Sequence, residues 1–86
     1  RLQWATLRFS PERSRWVAAE FWHPAQKGRF DTDGCYVLEV PYADHRELLM
    51  DILKHGAHCE VVAPQSLRSL LTDELAAMHE KYAGAR

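Results

Sequence analysis

Along this chain the spacing of the apolar residues changes several times, and the order of these changes limits the folds that are open to it. In residues 2–9, apolar side chains such as Leu7 and Phe9 alternate with polar or aromatic ones. This alternation predicts a β-strand with one buried face. Ser10 and Pro11 then predict the start of a helix, with Ser10 as the N-cap and Pro11 in the first turn.

The first helix is predicted from spacing and from a stop signal. Val17 and Phe21 lie four residues apart, which places both on one helix face and predicts both in the core. The residue before a proline avoids helical backbone angles, so the helix is expected to reach Trp22 and to end before Pro24.

Two further strands are predicted around a tight turn. Residues 26–32 form a weak strand pattern, and Asp33-Gly34 is typical of a hairpin turn. Residues 35–42 alternate again and predict a third strand, with Pro41 at its end because proline cannot donate to the ladder. One face of this strand is predicted to carry Tyr36, Leu38, Val40 and Tyr42.

The second helix has recognisable boundaries. Asp44 and Glu47 have capping-box spacing, and Gly56 is placed to end the helix in a left-handed conformation. Residues 58–63 then predict a short strand that Pro64 stops. The apolar face of the helix is expected to comprise Leu48, Leu49, Ile52 and Leu53.

A third helix, capped by Ser66, completes the pattern. Its apolar residues recur at helical spacing, namely Leu67, Leu70, Leu71, Leu75, Met78 and Tyr82. The element order predicts an α+β fold, a ferredoxin-like βαββαβ antiparallel sheet with an added C-terminal helix. The predicted core comprises Leu7, Phe9, Val17, Phe21, Leu38, Val40, Leu49, Ile52 and Val61.

Length and charge narrow the function classes. At 86 residues, the whole of 1–86 is expected to form one domain. The net charge is −1 and the basic residues are scattered, which argues against a DNA-reading or membrane-binding surface. With no signal peptide or membrane span visible in the sequence, we expect a cytoplasmic protein. The chain also reads like a piece of a longer protein.

Reactive residues do not assemble into a recognisable catalytic or metal motif. His55 and His58 lack the second ligand pair that structural zinc needs, so no metal site and no cofactor are expected. Cys35 and Cys59 are expected to be free thiols. Neither a nucleophile elbow nor a glycine-rich phosphate loop occurs, and the chain is therefore predicted not to be an enzyme.

The candidate partner-binding site is the sheet face that the two crossover helices leave uncovered. Trp4 and Arg8 project from this face, and Arg29 is predicted to join them, because interfaces concentrate binding energy in Trp and Arg. In the alternative interpretation, the C-terminal helix covers Trp4 and Arg8 pairs with Glu39.

Several segments, in order, resemble one known family. They are ATLRF (5–9), RWVAAEFW with His23-Pro24, Asp33-Gly34 with CYVLEV, ELLMDILKHG, and EVVAPQSLR (60–68). Together they resemble the C-terminal extension (WCX) domain of WYL-domain, helix-turn-helix transcriptional regulators.

The resemblance implies a regulatory or dimerisation module with a ferredoxin-like fold, and effector sensing is a further function that the resemblance leaves open for it. The expected partners are the regulator's own WYL domain or a second subunit in a homodimer, and DNA is contacted only through a separate N-terminal domain. The resemblance leaves the effector open, a nucleic acid among the candidates. The alternative is an ACT-like small-molecule-binding module, which predicts a glycine-rich loop after the first strand, where this chain has Ser10-Pro11-Glu12.

Overall fold

A computed structural model describes residues 2–84 as a four-stranded sheet with three α-helices. In chain order the elements are β1 (Gln3–Phe9), α1 (Pro11–Ala18), β2 (Lys27–Phe30), β3 (Tyr36–Tyr42), α2 (His45–Lys54), a 3-10 turn (Gly56–His58), β4 (Cys59–Ala63) and α3 (Gln65–Ala83). The strands lie in the order β2-β3-β1-β4, and each neighbouring pair is antiparallel. The predicted ferredoxin-like arrangement with a C-terminal helix is confirmed.

The alternation in β1 determines which side of the sheet is the core. Ala5, Leu7 and Phe9 are fully buried, and Leu7 lies opposite Leu38 in β3 and Val61 in β4. Most of the predicted core is confirmed as buried, namely Leu7, Phe9, Val17, Leu38, Val40, Ile52 and Val61. Leu49 is half-buried and packs against this core.

Helix α1 begins at Pro11 as predicted but ends at Ala18 instead of Trp22. Ser10 occupies the N-cap position, yet its hydroxyl makes no capping bond and instead lies 2.8 Å from His58 Nδ1. The β1–α1 corner is thereby tied to the 3-10 turn before β4.

The segment after α1 is a loop that the Gln26 side chain closes. Gln26 Oε1 accepts from the backbone N–H groups of Trp22 and His23, and its Nε2 donates to the Glu20 carbonyl. Trp22 packs against the core, whereas Phe21 is 75% exposed. The prediction that Phe21 belongs to the core is wrong, because the chain has left the helix before reaching it.

Strand and helix boundaries elsewhere differ in detail from the predictions. β2 is shorter than predicted, and Pro41 is the penultimate residue of β3. The Asp44 carboxylate caps α2 by accepting from the Arg46 backbone N–H at 3.0 Å, so no capping box with Glu47 forms. Gly56 has φ +60°, which confirms the predicted left-handed end of α2.

Helix α3 is docked at its beginning only. Pro64 occupies the N-cap position, so Ser66 lies in the first turn and is not the cap. Leu67 is buried, and Arg68 Nη1 donates to the Val61 carbonyl at 2.6 Å. Every residue from 72 to 84 is exposed. The radius of gyration is accordingly 13.7 Å, against about 12 Å for a compact chain of this length.

Within residues 2–84, no helix is long and apolar enough to span a membrane.

Candidate functional site

The candidate site is the face of the sheet opposite the core, here called the open face. The antiparallel register places opposite residues on the same face, so its members can be read from the pairing. They are Trp4, Thr6 and Arg8 in β1, Lys27 and Arg29 in β2, Val37, Glu39 and Pro41 in β3, and Glu60 and Ala63 in β4. Val62 is the extra residue at the irregularity between Val61 and Ala63, and its side chain is 47% exposed.

The turn between β2 and β3 sets the edge of the open face. The Gly34 N–H donates to the Asp31 carbonyl at 3.1 Å, and the Asp31 N–H donates to the Cys35 carbonyl at 2.9 Å. Gly34 has φ +89°, a conformation that favours glycine. Asp33 Oδ1 accepts from the Cys35 N–H. The predicted hairpin turn is confirmed, and it brings two carboxylates to one position.

Those two carboxylates hold Arg8. Its Nη1 lies 3.0 Å from Asp31 Oδ2, and its Nη2 lies 2.6 Å from Asp33 Oδ2. A side-chain hydrogen bond with Asp31, the Cys35 N–H and the Arg8 charge together lower the pKa of Asp33 to about 2. The alternative pairing of Arg8 with Glu39 is wrong, because the hairpin turn supplies two closer carboxylates.

At the other end of β1, Trp4 borders a shallow cleft. The cleft has a volume of about 310 Å³ and is lined by Trp4, Thr6, Lys27 and Glu39. Lys27 Nζ lies 5.8 Å from the centroid of the Trp4 ring, within cation–π range. Trp4 is 45% exposed. The lining comes from the sheet alone, so α3 does not form part of this cleft.

Arg29 is the least constrained of the three predicted site residues. It lies opposite Val37, which in turn lies opposite Arg8, so both arginines share one row across the sheet. Arg29 is exposed and makes no ion pair with another residue in 2–84. Trp4 lies about 13 Å from Arg8 along the strand, since each residue advances ~3.3 Å. The site is therefore an extended surface and not a pocket.

The turn between β2 and β3 carries side chains that could ligate a metal ion, but a cation of the protein already occupies their charge. Asp31, Asp33 and Cys35 each place one ligand atom within 4.8 Å of the others. Arg8, however, already donates to Asp33, pairs with the carboxylate of Asp31 and supplies the positive charge there. Burial raises the pKa of the Cys35 thiol, and burial raises the pKa of Cys59 to about 12. Both cysteines are free, and these pKa values favour unreactive thiols.

A second cluster, which sequence reasoning missed, surrounds His55 on the core side. His55 is 5% exposed, its ring stacks on Trp22 with centroids 6.0 Å apart, and it meets Phe9 edge-on. Its Nε2 has no hydrogen-bond partner, and a Glu20 oxygen lies 3.9 Å away. Burial lowers the pKa of His55, which favours the neutral ring at physiological pH.

The sequence contained only a weak signal for this cluster. A histidine just before a C-terminal glycine is typical of a side chain that interacts with the helix dipole from solvent. The burial of His55 depends on the 20–26 loop, which brings Trp22 over the end of α2.

These observations define an α+β domain of the ferredoxin-like kind, with one covered sheet face and one open face. A family model, the WCX domain, matches residues 1–79. The chain therefore belongs to the WCX domain family. No curated protein matches it.

Proposed function

We propose that this chain is a regulatory module of a WYL-type transcriptional regulator, and that its open face contacts a neighbouring domain. That neighbour is the regulator's own WYL domain or a second subunit. In this proposal, a separate N-terminal domain of the cytoplasmic regulator reads DNA, and the module couples effector binding to that domain without catalysing a reaction. Membership of the WCX family supports this assignment.

One observation carries the proposal: the open face keeps an aromatic and a cationic side chain exposed. Trp4 is 45% exposed, and Arg29 makes no ion pair within residues 2–84. Trp and Arg are the residues that contribute most binding energy at protein interfaces. The covered face of the same sheet, by contrast, buries its large side chains.

The charge of the open face favours a protein partner over a phosphate backbone. Three cations on the face and its turn lie among four carboxylates, contributed by Asp31, Asp33, Glu39 and Glu60, and Glu60 also pairs with Arg68 of α3. A surface of mixed sign recognises a partner by complementary pairs, whereas nucleic-acid binders concentrate positive charge.

The test places Arg29→Ala and Arg8→Ala separately in the full-length regulator. We expect Arg29→Ala to reduce the effector dependence of DNA binding while leaving the melting temperature unchanged. Arg8→Ala should do the same and also free the carboxylates of Asp31 and Asp33. Arg15→Ala, an exposed change on α1, is the matched control. An unchanged effector response in both open-face variants would refute the site.

A second measurement concerns DNA. The isolated domain is near neutral, so we expect no duplex DNA binding tighter than about 10⁻⁶ M at physiological salt, the upper end of ordinary non-specific affinity. Fluorescence anisotropy with a labelled duplex measures this directly. Tighter binding would contradict the proposal that a separate domain reads DNA.

A further inference from the structure

The projecting half of α3 carries an apolar stripe that the domain itself does not cover. Leu75, Met78 and Tyr82 are 47%, 41% and 78% exposed. Their spacing of three and four residues places them on one helix face. A continuous apolar stripe of this kind on a surface helix normally packs against another element.

The same stripe begins inside the domain. Leu67 is buried in the core, and Leu71 packs partly against it. Beyond Leu71 the stripe continues along a groove of about 190 Å³ between α3 and β4, to which Leu75 contributes. The stripe is therefore one surface, buried within the chain over its first two turns and exposed over its last three.

Two opposite charges flank the exposed part of the stripe. At 100° per residue, Glu74 and Lys81 fall on the same edge of the stripe. Neither makes an ion pair with another residue in the part of the chain that the structure describes. Glu74 lies four residues before Met78 and Lys81 lies three residues after it, so the two charges are nearly symmetric about Met78.

We propose that this half of α3 pairs antiparallel with α3 of a second copy of the chain, with Met78 facing Met78. This pairing rests on the proposed function in one respect: the two paired helices would hold together the dimer of the regulator. In this register, Leu75 faces Tyr82 of the second copy with an offset of about 1.5 Å, one residue's rise. Glu74 faces Lys81 of the second copy with the same small offset.

Charge complementarity identifies a second copy as the partner. A two-fold axis perpendicular to the helices brings the same edge of both stripes together, so the Glu74–Lys81 contact forms twice. Flanking charges of this kind set partner and orientation in helix pairs. Tyr82 of the second copy also reaches Leu75 at the mouth of the groove. The stripe and its charged edge are thus complementary to themselves, as a homodimer interface requires.

The experiment is a charge-reversal set measured by sedimentation equilibrium on the 86-residue chain. We expect the unmodified chain to self-associate, and Glu74→Lys and Lys81→Glu each to weaken the dimer by about tenfold through two repulsive contacts. An equimolar mixture of the two variants should dimerise at least as well as the unmodified chain, because both contacts become attractive again.

Glu80→Lys is the matched control, because it makes the same charge change on the opposite side of α3 and should leave the dimer unaffected. Circular dichroism verifies that every variant is folded. A monomeric unmodified chain at about 10⁻⁴ M, the range of weak interfaces, would overturn the pairing. A mixture no better than either variant alone would also overturn it. Neither outcome bears on the open-face proposal. That proposal is refuted only if Arg8→Ala and Arg29→Ala both leave the effector response unchanged.

Discussion

The two faces of the sheet are made by the same four strands but are held in different ways. On the covered face, β1 contributes fully buried apolar side chains that pack beneath α1 and α2. On the open face, the alternate side chains of the same strand make an ion-pair cluster at one end and a cation–π contact at the other. Packing stabilises the first face, whereas electrostatic contacts arrange the second.

Stability and recognition therefore reside on different faces of this small domain. Burial of apolar surface supplies most of the folding free energy, and exposed ion pairs supply little. Substitutions on the covered face should therefore change stability, and substitutions on the open face should change contacts with a partner.

The largest effect is expected at Ile52 on the covered face. Ile52 is 1% exposed, so Ile52→Ala should lower the free energy of unfolding by about 2–5 kcal/mol through lost burial and a cavity. Val62→Ala, at the irregularity in β4 and 47% exposed, is the control and should cost less than about 0.5 kcal/mol. Urea unfolding of both variants measures the difference. Similar values at the two positions would break the contrast.

The next effect is expected at Gly28, where the covered face reaches the edge strand. An added Cβ at Gly28 would overlap the Tyr36 hydroxyl, and Tyr36 is 7% exposed. Gly28→Ala should therefore cost about 1–3 kcal/mol as the ring is displaced. Lys27→Ala changes the neighbouring residue on the opposite face and serves as the control. Equal stability of the two variants in thermal unfolding would show that Tyr36 has room to move.

The pH dependence of stability tests the His55 cluster. Burial lowers the pKa of His55, Arg13 and Lys54 lower it further, and Glu20 and Asp51 oppose the shift. The folded state therefore favours the neutral ring. Its contribution is fully present above the unfolded pKa of about 6.5 and is lost as pH falls below that value toward the folded pKa.

We therefore expect the melting temperature to decrease between about pH 7 and pH 5, the range below the unfolded pKa. His55→Leu should flatten this part of the profile, because it removes the group that must be protonated on unfolding. His79→Gln, at an exposed position on α3, should leave the slope unchanged. An identical slope with and without His55 would assign the effect to another group.

The smallest change in stability is expected for Arg8→Ala on the open face. The variant is instead detected by the titration of Asp33, whose pKa of about 2 depends partly on the Arg8 charge. The variant should raise that pKa only slightly, because the Arg8 charge is the smallest of the causes that lower it, and NMR titration of the carboxyl carbon measures the shift. The stability that Asp33 contributes is present above about pH 4 and lost as pH falls toward 2. An unchanged pKa of Asp33 would mean that Asp31 and the Cys35 N–H lower it without help from Arg8.

Local patterns predicted the strands well because burial follows alternation. The side-chain period of a strand is two, so once Leu7 and Phe9 are inward, Trp4 and Arg8 must face outward. Asp33-Gly34 predicted the hairpin because glycine alone readily takes the positive φ of that turn. Trp4 and Arg8 were therefore placed on one face from the sequence, whereas the weak alternation of residues 26–32 did not fix the face of Arg29.

Interactions between distant residues were not predictable in the same way. Phe21 continues the helical spacing of Val17, but Gln26 closes a loop before the helix can reach it. Arg8 pairs with Asp31 and Asp33, which lie 23 and 25 residues away in the sequence. This pairing depends on the position of the hairpin turn in the folded sheet. Helical periodicity in α3 likewise cannot separate burial within a chain from burial between chains.

The docking of α3 at one end has a mechanical consequence. The helix is fixed near Leu67, and its exposed residues continue from 72 to 84. At 1.5 Å per residue, this segment is a lever about 18 Å long, so a tilt of about 10° at its base moves the tip by about 3 Å. This displacement is perpendicular to the helix axis. Small rearrangements at the edge of β4 are thus amplified into a sideways displacement of the far end of the helix.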